Sequence, residues 1–289
     1  MSMRFYLDHN IYIYSLNDES IGQAVETLKS DSVQFLYSPA HIEEVYTAFV
    51  KNGSKYQQNI QRIFEQISKF TDDMECLPSD TQIIIKREKP SDCYKRVAGI
   101  DTTQRMESDG KYKYQIDKGH YQELCKQDKH FQSISTLTYD KIWDHKEIIN
   151  CLEELNRNMP QIINRHNFNV DTISLAMLGI NKILPEDLQI QRGMYDELKK
   201  SHKALEFVVE ILFRVLNISG YNADKEEATT ISGIHDVTHA IYATKADKLF
   251  SSDKKFVNKC AAIYYFLGVK TQVVLCPQKE IAKILLESK

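Results

Sequence analysis

Short apolar runs alternate with helical patterns at both ends of this 289-residue chain, and no other feature limits the fold as strongly. Near the N-terminus, Arg4 to Leu7 and Val33 to Tyr37 have the aromatic and β-branched composition of strands. Near the C-terminus, Leu249 to Ser251 and Thr271 to Leu275 are also predicted strands, with helical patterns between them. Strands that alternate with helices predict an α/β fold with a central, mainly parallel sheet.

The middle of the chain has a different pattern. Residues 51–189 are polar and mainly helical in periodicity, with one strand-like exception at Gln82 to Lys86. We therefore predict one discontinuous α/β domain, made of residues 1–50 and 190–289, interrupted by a large, mainly α-helical insertion at residues 51–189.

Composition and charge narrow the class of protein. Hydrophobic residues make up 42 % of the chain, which is enough for a sizeable core, and the net charge is −3. A chain that is not strongly basic can still contact a phosphate backbone through a local patch. The N-terminus lacks the basic start and apolar run of a signal peptide, and no run approaches the ~18 apolar residues of a membrane helix. We therefore expect a cytoplasmic protein with no membrane partner.

Acidic residues fall at the ends of the predicted elements. Asp8 follows the first strand, and Asp253 follows the strand that ends at Ser251. The adjacent Glu43 and Glu44 lie early in the helix after the second strand, and Asp236 is predicted to start a late helix. Because the carboxyl ends of parallel strands share one sheet edge, we expect these acids to converge there, with one of the two glutamates included.

Clustered carboxylates repel one another unless a cation lies between them. Hard divalent ions such as Mg²⁺ and Mn²⁺ prefer oxygen ligands of this kind, and they polarise phosphodiesters and lower the pKa of bound water. The cluster therefore predicts metal-assisted phosphodiester hydrolysis. For any one of these acids the alternative is a helix N-cap or a solvated surface charge, and for Asp236 taken alone that alternative is favoured. The joint placement of all four acids is what favours a site.

Three blocks of the sequence resemble PIN-domain ribonucleases: RFYLDHN, LYSPAHIEEV and HDVTHAIYATKADKLFSSDKKF. The first ends in an apolar strand followed by Asp and, two positions on, Asn. The second has Ser38 followed six positions later by Glu44 and an aliphatic residue. The third has a helix with an Asp near its start and then a strand with the pattern Ser-x-Asp-x-x-Phe. The resemblance covers roughly residues 1–50 and 190–289.

This resemblance implies a PIN-like three-layer fold and a Mg²⁺- or Mn²⁺-dependent endoribonuclease that hydrolyses RNA with a metal-activated water. It implies four acids that are both catalytic and metal-binding, namely Asp8, Glu44, Asp236 and Asp253. It also implies two residues that support the carboxylates or a metal-bound water, namely Asn10 and Ser251. His235 and His239 flank Asp236 and depart from the family, which usually has an apolar residue at the second of these positions. One interpretation places both histidines near the active site, where they bind phosphate or tune Asp236. Only the motif spacing favours Glu44 over Glu43.

Many members of this family are toxins of bacterial toxin–antitoxin pairs. The resemblance therefore implies RNA as the substrate and makes a toxin or defence role an expectation. The corresponding partners would be a protein inhibitor or defence partner, and a second copy of the chain in a homo-oligomer.

Two alternatives remain open at the level of sequence. The run His235-Asp236-Val237-Thr238-His239 is close to the zinc pattern H-E-x-x-H, so a zinc hydrolase is one of them. The other is an RNA- or protein-binding module on an inactive PIN-like scaffold. The basic segment from Lys86 to Arg96, with nearby tyrosines at 112 and 114, would then contact RNA.

Overall fold

The computed structural model describes residues 2–52, 57–79, 81–99, 134–165, 188–223 and 229–289. Within these ranges the strands are β1 (Arg4–Leu7), β2 (Gln34–Leu36), β3 (Met74–Pro78), β4 (Ile83–Arg87), β5 (Lys248–Ser251) and β6 (Gln272–Leu275). The helices are α1 (His9–Ser15), α2 (Glu19–Ser30), α3 (Pro39–Asn52), α4 (Gln57–Thr71), α5 (Pro90–Gly99), α6 (Lys146–Arg165), α7 (Tyr195–Leu198), α8 (His202–Ile218), α9 (Thr229–Ala243), α10 (Lys254–Leu267) and α11 (Ile281–Glu287).

Four strands form one sheet in the order β2-β1-β5-β6, and its three pairings are all parallel. The expected α/β class with a mainly parallel sheet is therefore confirmed. From β1 the chain passes to β2 on one side, and from β5 it passes to β6 on the other side. The neighbours β1 and β5 thus form a switch point, where ligands bind beyond the carboxyl ends of strands in open α/β sheets.

Both faces of the sheet are covered by buried residues. Successive residues of a strand point to opposite faces, so each strand contributes to both cores. Tyr6 and Leu249 belong to one buried core, together with residues of α6, α8, α9 and α10. Phe5, Leu7 and Phe250 belong to the other core, together with residues of α1, α2, α4, α5 and α11. The continuous run of buried residues Phe5, Tyr6 and Leu7 in β1 is therefore explained by two separate helical layers, one on each face of the sheet.

The described part of the segment 51–189 contributes to both cores. The apolar face of α4 packs with the sheet core that contains Phe5, while Trp143 lies in the opposite core. The indole Nε1 of Trp143 donates a hydrogen bond to the carbonyl oxygen of Ala262 at 2.7 Å. Strands β3 and β4 form an antiparallel pair, of which the sequence predicted only the second. The assignment of 51–189 as an insertion remains a prediction.

One predicted boundary is wrong. Helix α9 begins at Thr229, so Asp236 lies well inside the helix and does not start it. Between Thr229 and Asp236 the sequence contains no Pro, and its one Gly is Gly233. A helix tolerates one interior Gly at a cost of ~1 kcal/mol, so nothing in this stretch stops the helix from starting early. None of the described helices combines the length and the apolar character that a bilayer crossing requires.

Candidate metal centre

Asp8 and Asp253 follow the two central strands and meet at the carboxyl edge of the sheet. Ser251 joins them, because its hydroxyl donates to Oδ2 of Asp8 at 2.6 Å and accepts from the backbone N–H of Asp253 at 3.0 Å. Asp253 is also the N-cap of α10, since its Oδ1 accepts from the backbone N–H groups of Lys255 and Phe256 at 2.7 and 3.1 Å. The strand ends thus fix both carboxylates.

Glu44 reaches the same edge from α3. Pro39 begins this helix directly after Ser38, as the sequence predicts. The backbone N–H of Ser38 donates to Nδ1 of His41 at 3.1 Å, and Nε2 of His41 lies 2.8 Å from the carbonyl oxygen of Leu7. These two contacts anchor the first turn of α3 to the end of β1, one turn before Glu44.

His239 on α9 completes a group of three side chains. Its Nε2 lies 2.7 Å from Oε1 of Glu44. One potential ligand atom from each of Asp8, Glu44 and His239 lies within 4.8 Å of the other two. Asp8 and His239 are buried, at 6 % and 1 % exposure, while Glu44 is partly exposed.

A chain of hydrogen bonds behind this group determines the protonation of each histidine. A carbonyl oxygen can only accept, so Nε2 of His41 donates to Leu7 and Nδ1 of His41 accepts from Ser38. By the same argument, Nε2 of His239 donates to the Glu44 carboxylate, and Nδ1 of His239 accepts from the Tyr6 hydroxyl at 2.7 Å. The Tyr6 oxygen then accepts from the Ser38 hydroxyl at 2.6 Å.

Burial dominates the electrostatics of these groups. It raises the pKa of Asp8 to about 7, with a further contribution from the Glu44 charge, while the Ser251 hydrogen bond opposes the shift. Burial also lowers the pKa of His239 to about 3, so its ring is neutral at pH 7. A buried carboxylate with a raised pKa beside a second carboxylate favours either a proton or a cation at this position.

Asp236 lies beside this group but is not one of its three members. Its Oδ2 is 4.0 Å from Nζ of Lys259, a lysine of α10 with only 1 % of its side chain exposed. The charges of Asp236, Asp8 and Asp253 all act on the buried thiol of Cys260, whose pKa is raised mainly by burial. Three of the four predicted acids therefore act on one buried thiol, while Glu44 is grouped with Asp8 and His239.

The remaining predicted residues have separate surroundings. Asn10 lies on the first turn of α1 with its side chain exposed. His235 is buried, and its Nε2 lies 3.4 Å from the Thr47 hydroxyl. Glu43 interacts electrostatically with Glu206: burial and the charges of Glu206 and Glu44 raise its pKa to about 7. Among the described residues, Glu44 and not Glu43 therefore belongs to the group of three.

The donor set fits a divalent cation. Two carboxylates and one imidazole supply the oxygen and nitrogen ligands that first-row divalent ions accept. Nδ1 of His239 is already hydrogen-bonded, as is usual for histidines that bind metals through the other nitrogen. Asp8, Glu44 and His239 are therefore the residues that would hold the ion.

Several residues around the site were not identified from the sequence, namely Tyr6, Ser38 as a member of the hydrogen-bond chain, His41 and Lys259. Local patterns contain a signal for three of them. Tyr6 and Asp8 are two positions apart and so share a face of β1. His41 and Glu44 are three apart on α3, where side chains are neighbours. Lys259 is three residues after Phe256 on the buried face of α10, an unusual place for a lysine.

Comparisons of the chain with known protein families, with curated proteins and with solved structures find no match.

Proposed function

We propose that this chain is a PIN-like, metal-dependent endoribonuclease that hydrolyses RNA. The observation that carries the proposal is the group of Asp8, Glu44 and His239 at the switch point of a parallel sheet. The order of the three sequence blocks and the position of Asp253 after β5 support the same assignment. Mg²⁺ or Mn²⁺ is the proposed cofactor.

Each residue of the site has a distinct task in this proposal. A divalent ion, when bound, would polarise the phosphodiester and stabilise negative charge on the leaving oxygen. Ser251 holds the Asp8 carboxylate by the 2.6 Å hydrogen bond, and in the ion-free protein Nε2 of His239 donates to the Glu44 carboxylate. Lys254 and Lys255 are exposed in the first turn of α10, directly after Asp253. Their charges would attract the phosphate backbone of RNA.

Cleavage of RNA by the purified full-length chain tests this proposal. With Mn²⁺ or Mg²⁺, wild type should cleave structured and unstructured RNA, and a chelator should abolish the cleavage. Asp8→Asn and Glu44→Gln should each reduce the rate by about 100-fold or more, because each removes a carboxylate that would hold the ion, and the ion is what would stabilise the negative charge of the transition state. Glu43→Gln is the matched control on the same helix and should retain activity. Equal rates for wild type and Asp8→Asn would overturn the proposal.

The toxin or defence role is a further part of this proposal, together with its protein inhibitor or defence partner. Expression of wild type in a bacterial host should arrest growth, and Asp8→Asn should not. Arrest by both proteins at equal abundance would show that any toxicity is independent of the nuclease site.

The alternatives have less support. A two-histidine zinc site needs His235 and His239 at one ion, but among the described residues only His239 belongs to the group of three. In the basic segment, Arg96 pairs with Glu75 at 2.7 Å and Lys95 pairs with Asp92 at 2.8 Å. These intrachain ion pairs use charge that an RNA-binding surface would need. The tyrosines at 112 and 114 lie outside the described residues.

A further inference from the structure

We propose that His239 binds the cation together with Asp8 and Glu44, in the position that the PIN resemblance gives to Asp236, while Asp236 pairs with Lys259. This inference rests on the proposed function, since both need a cation at this edge of the sheet. It concerns which side chains hold the ion and therefore which ions the site selects.

The distances distinguish His239 from Asp236. His239 contributes a ligand atom to the group that spans 4.8 Å, and its Nε2 is 2.7 Å from the Glu44 carboxylate. Asp236 is one turn earlier on α9, with its carboxylate 4.0 Å from the ammonium group of Lys259. A nearly fully buried lysine needs a negative partner, because an isolated ammonium is strongly disfavoured away from water.

Tyr6 provides the outer contact that a histidine ligand requires. Without a cation, Nε2 of His239 carries the proton and donates to Glu44. With a cation, Nε2 would offer its lone pair to the ion, and the ring proton would reside on Nδ1 and be donated to the Tyr6 oxygen, 2.7 Å away. In this change Nε2 loses a proton and Nδ1 gains one, so the ring is neutral in both forms.

The groups behind Tyr6 can accept the reversed direction. In the reversed chain the Tyr6 hydroxyl donates to Ser38 at 2.6 Å, and the Ser38 hydroxyl turns toward Nδ1 of His41 at 3.4 Å. Nδ1 of His41 remains an acceptor throughout, because its Nε2 donates to Leu7, and in the reversed chain its one lone pair is shared between the backbone N–H of Ser38 at 3.1 Å and the Ser38 hydroxyl. The buried network is therefore compatible with both forms of His239 without moving a heavy atom.

A nitrogen ligand changes the ions that the site prefers. Imidazole suits Mn²⁺, Co²⁺ and Zn²⁺, whereas Mg²⁺ favours sites made of oxygen. We therefore infer a cofactor from the first-row transition ions, with Mg²⁺ bound much more weakly than at a four-carboxylate site.

Pulsed electron paramagnetic resonance of the Mn²⁺-loaded wild-type chain tests ligation without any substitution. Electron spin echo envelope modulation should contain the signal of a directly bound ¹⁴N nucleus. In protein grown on ¹⁵N-histidine, the modulation of ¹⁵N should replace that signal. Bound Mn²⁺ without nitrogen coupling would overturn the inference and leave the proposed function intact. Failure of wild type to bind Mn²⁺ or any other divalent ion would overturn both.

Variants compare the two candidate ligands by calorimetric titration with Mn²⁺. His239→Gln should weaken binding by at least about 10-fold, the loss that even outer partners of a ligand cause. Asp236→Asn/Lys259→Met removes one negative and one positive charge together, so the net charge of the site is unchanged. Its Mn²⁺ affinity should stay within about fivefold of wild type. Loss of binding in this double variant, with binding retained in His239→Gln, would assign the ligand role to Asp236.

Two controls keep the comparison interpretable. His202→Gln removes a partly buried histidine that stacks on Tyr242 outside the site, and it should bind Mn²⁺ as wild type does. Circular dichroism must show that each variant is folded. If His239→Gln does not fold, Tyr6→Phe serves instead, with an expected loss in Mn²⁺ affinity of about 10–100-fold. Unchanged affinity in folded Tyr6→Phe would count against the proposed network.

Discussion

Nε2 of His239 and Oε1 of Glu44 lie 2.7 Å apart, although the two residues are separated by 195 positions in the chain. This contact links α9 to α3 and so connects the two ends of the sequence at the candidate site. Behind it, Tyr6 and Ser38 from the first strand region complete the hydrogen bonds. Removal of one side chain of this network should therefore leave its neighbours without a hydrogen-bond partner.

The Tyr6 hydroxyl should contribute measurably to stability. Tyr6→Phe leaves Nδ1 of His239 and the Ser38 hydroxyl without their present partner, and an unsatisfied buried polar group costs ~1–3 kcal/mol. Chemical denaturation should show a decrease of this size in the free energy of unfolding. Tyr12→Phe is the matched control, because the buried Tyr12 hydroxyl has no hydrogen-bond partner within the described residues. A loss as large in Tyr12→Phe would contradict this explanation.

The charge of Asp8 should destabilise the ion-free protein at neutral pH. Its folded-state pKa of about 7 is above the usual value of 3.8, so the folded state binds more protons between these pH values. Stability from this group is therefore complete below about pH 4 and is lost as the pH rises through 7.

Asp8→Asn should remove this pH dependence. In chelator at pH 8, the variant should be more stable than wild type by a few kcal/mol, on the order of the free energy that separates a pKa of about 7 from the usual 3.8. Near pH 4 the two should unfold at similar temperatures. Asp247→Asn, at the opposite edge of the sheet, controls for removal of an acid. Thermal unfolding at several pH values measures the difference, and the reverse trend would refute the sign.

The Ser251 hydroxyl should favour the ionised form of Asp8 and so oppose the rise in its pKa. Its hydroxyl donates to Oδ2 of Asp8, and a hydrogen bond to a charged group contributes ~1.5–3 kcal/mol. Ser251→Ala should raise the pKa of Asp8 by about one to two units and shift the onset of Mn²⁺ binding to higher pH. Titration calorimetry across pH measures this shift. Ser252→Ala is the neighbouring control, and an equal shift there would remove the assigned role of Ser251.

Asp253 has a structural task that can be separated from its charge. Asn is as good an N-cap as Asp, so Asp253→Asn should leave the free energy of unfolding nearly unchanged. Asp253→Ala should lower it by ~0.5–2 kcal/mol, because two N–H groups of α10 lose their acceptor. Chemical denaturation of both variants checks this order. Under the proposed function, RNA cleavage should fall in both, and full cleavage by Asp253→Asn would exclude a role for the charge.

Much of the fold was predictable because its signals are local. Composition and the residues that end each run predict four strands, which lie near Arg4, Val33, Leu249 and Thr271. Their parallel pairing follows from the helices between them. The start of α3 at Pro39 was also predictable, since proline is favoured in the first helical turn. Strand β3 is not predicted from the sequence because Met74–Pro78 contains Glu75 and Cys76, and its backbone is satisfied by distant partners, namely β4 and Tyr37.

The sequence by itself determined the succession of strands and helices at both ends of the chain. It also determined that Asp8 and Asp253 follow strands, because strand and turn patterns depend on neighbouring residues. Only the tertiary structure brings Glu44, and not Glu43, together with Asp8 and His239, since the two glutamates point about 100° apart on one helix. It also decided that His239 contacts Glu44 while Asp236 faces Lys259. Those relationships depend on how α3, α9 and α10 rotate and pack on the sheet, and packing between distant segments leaves no local pattern.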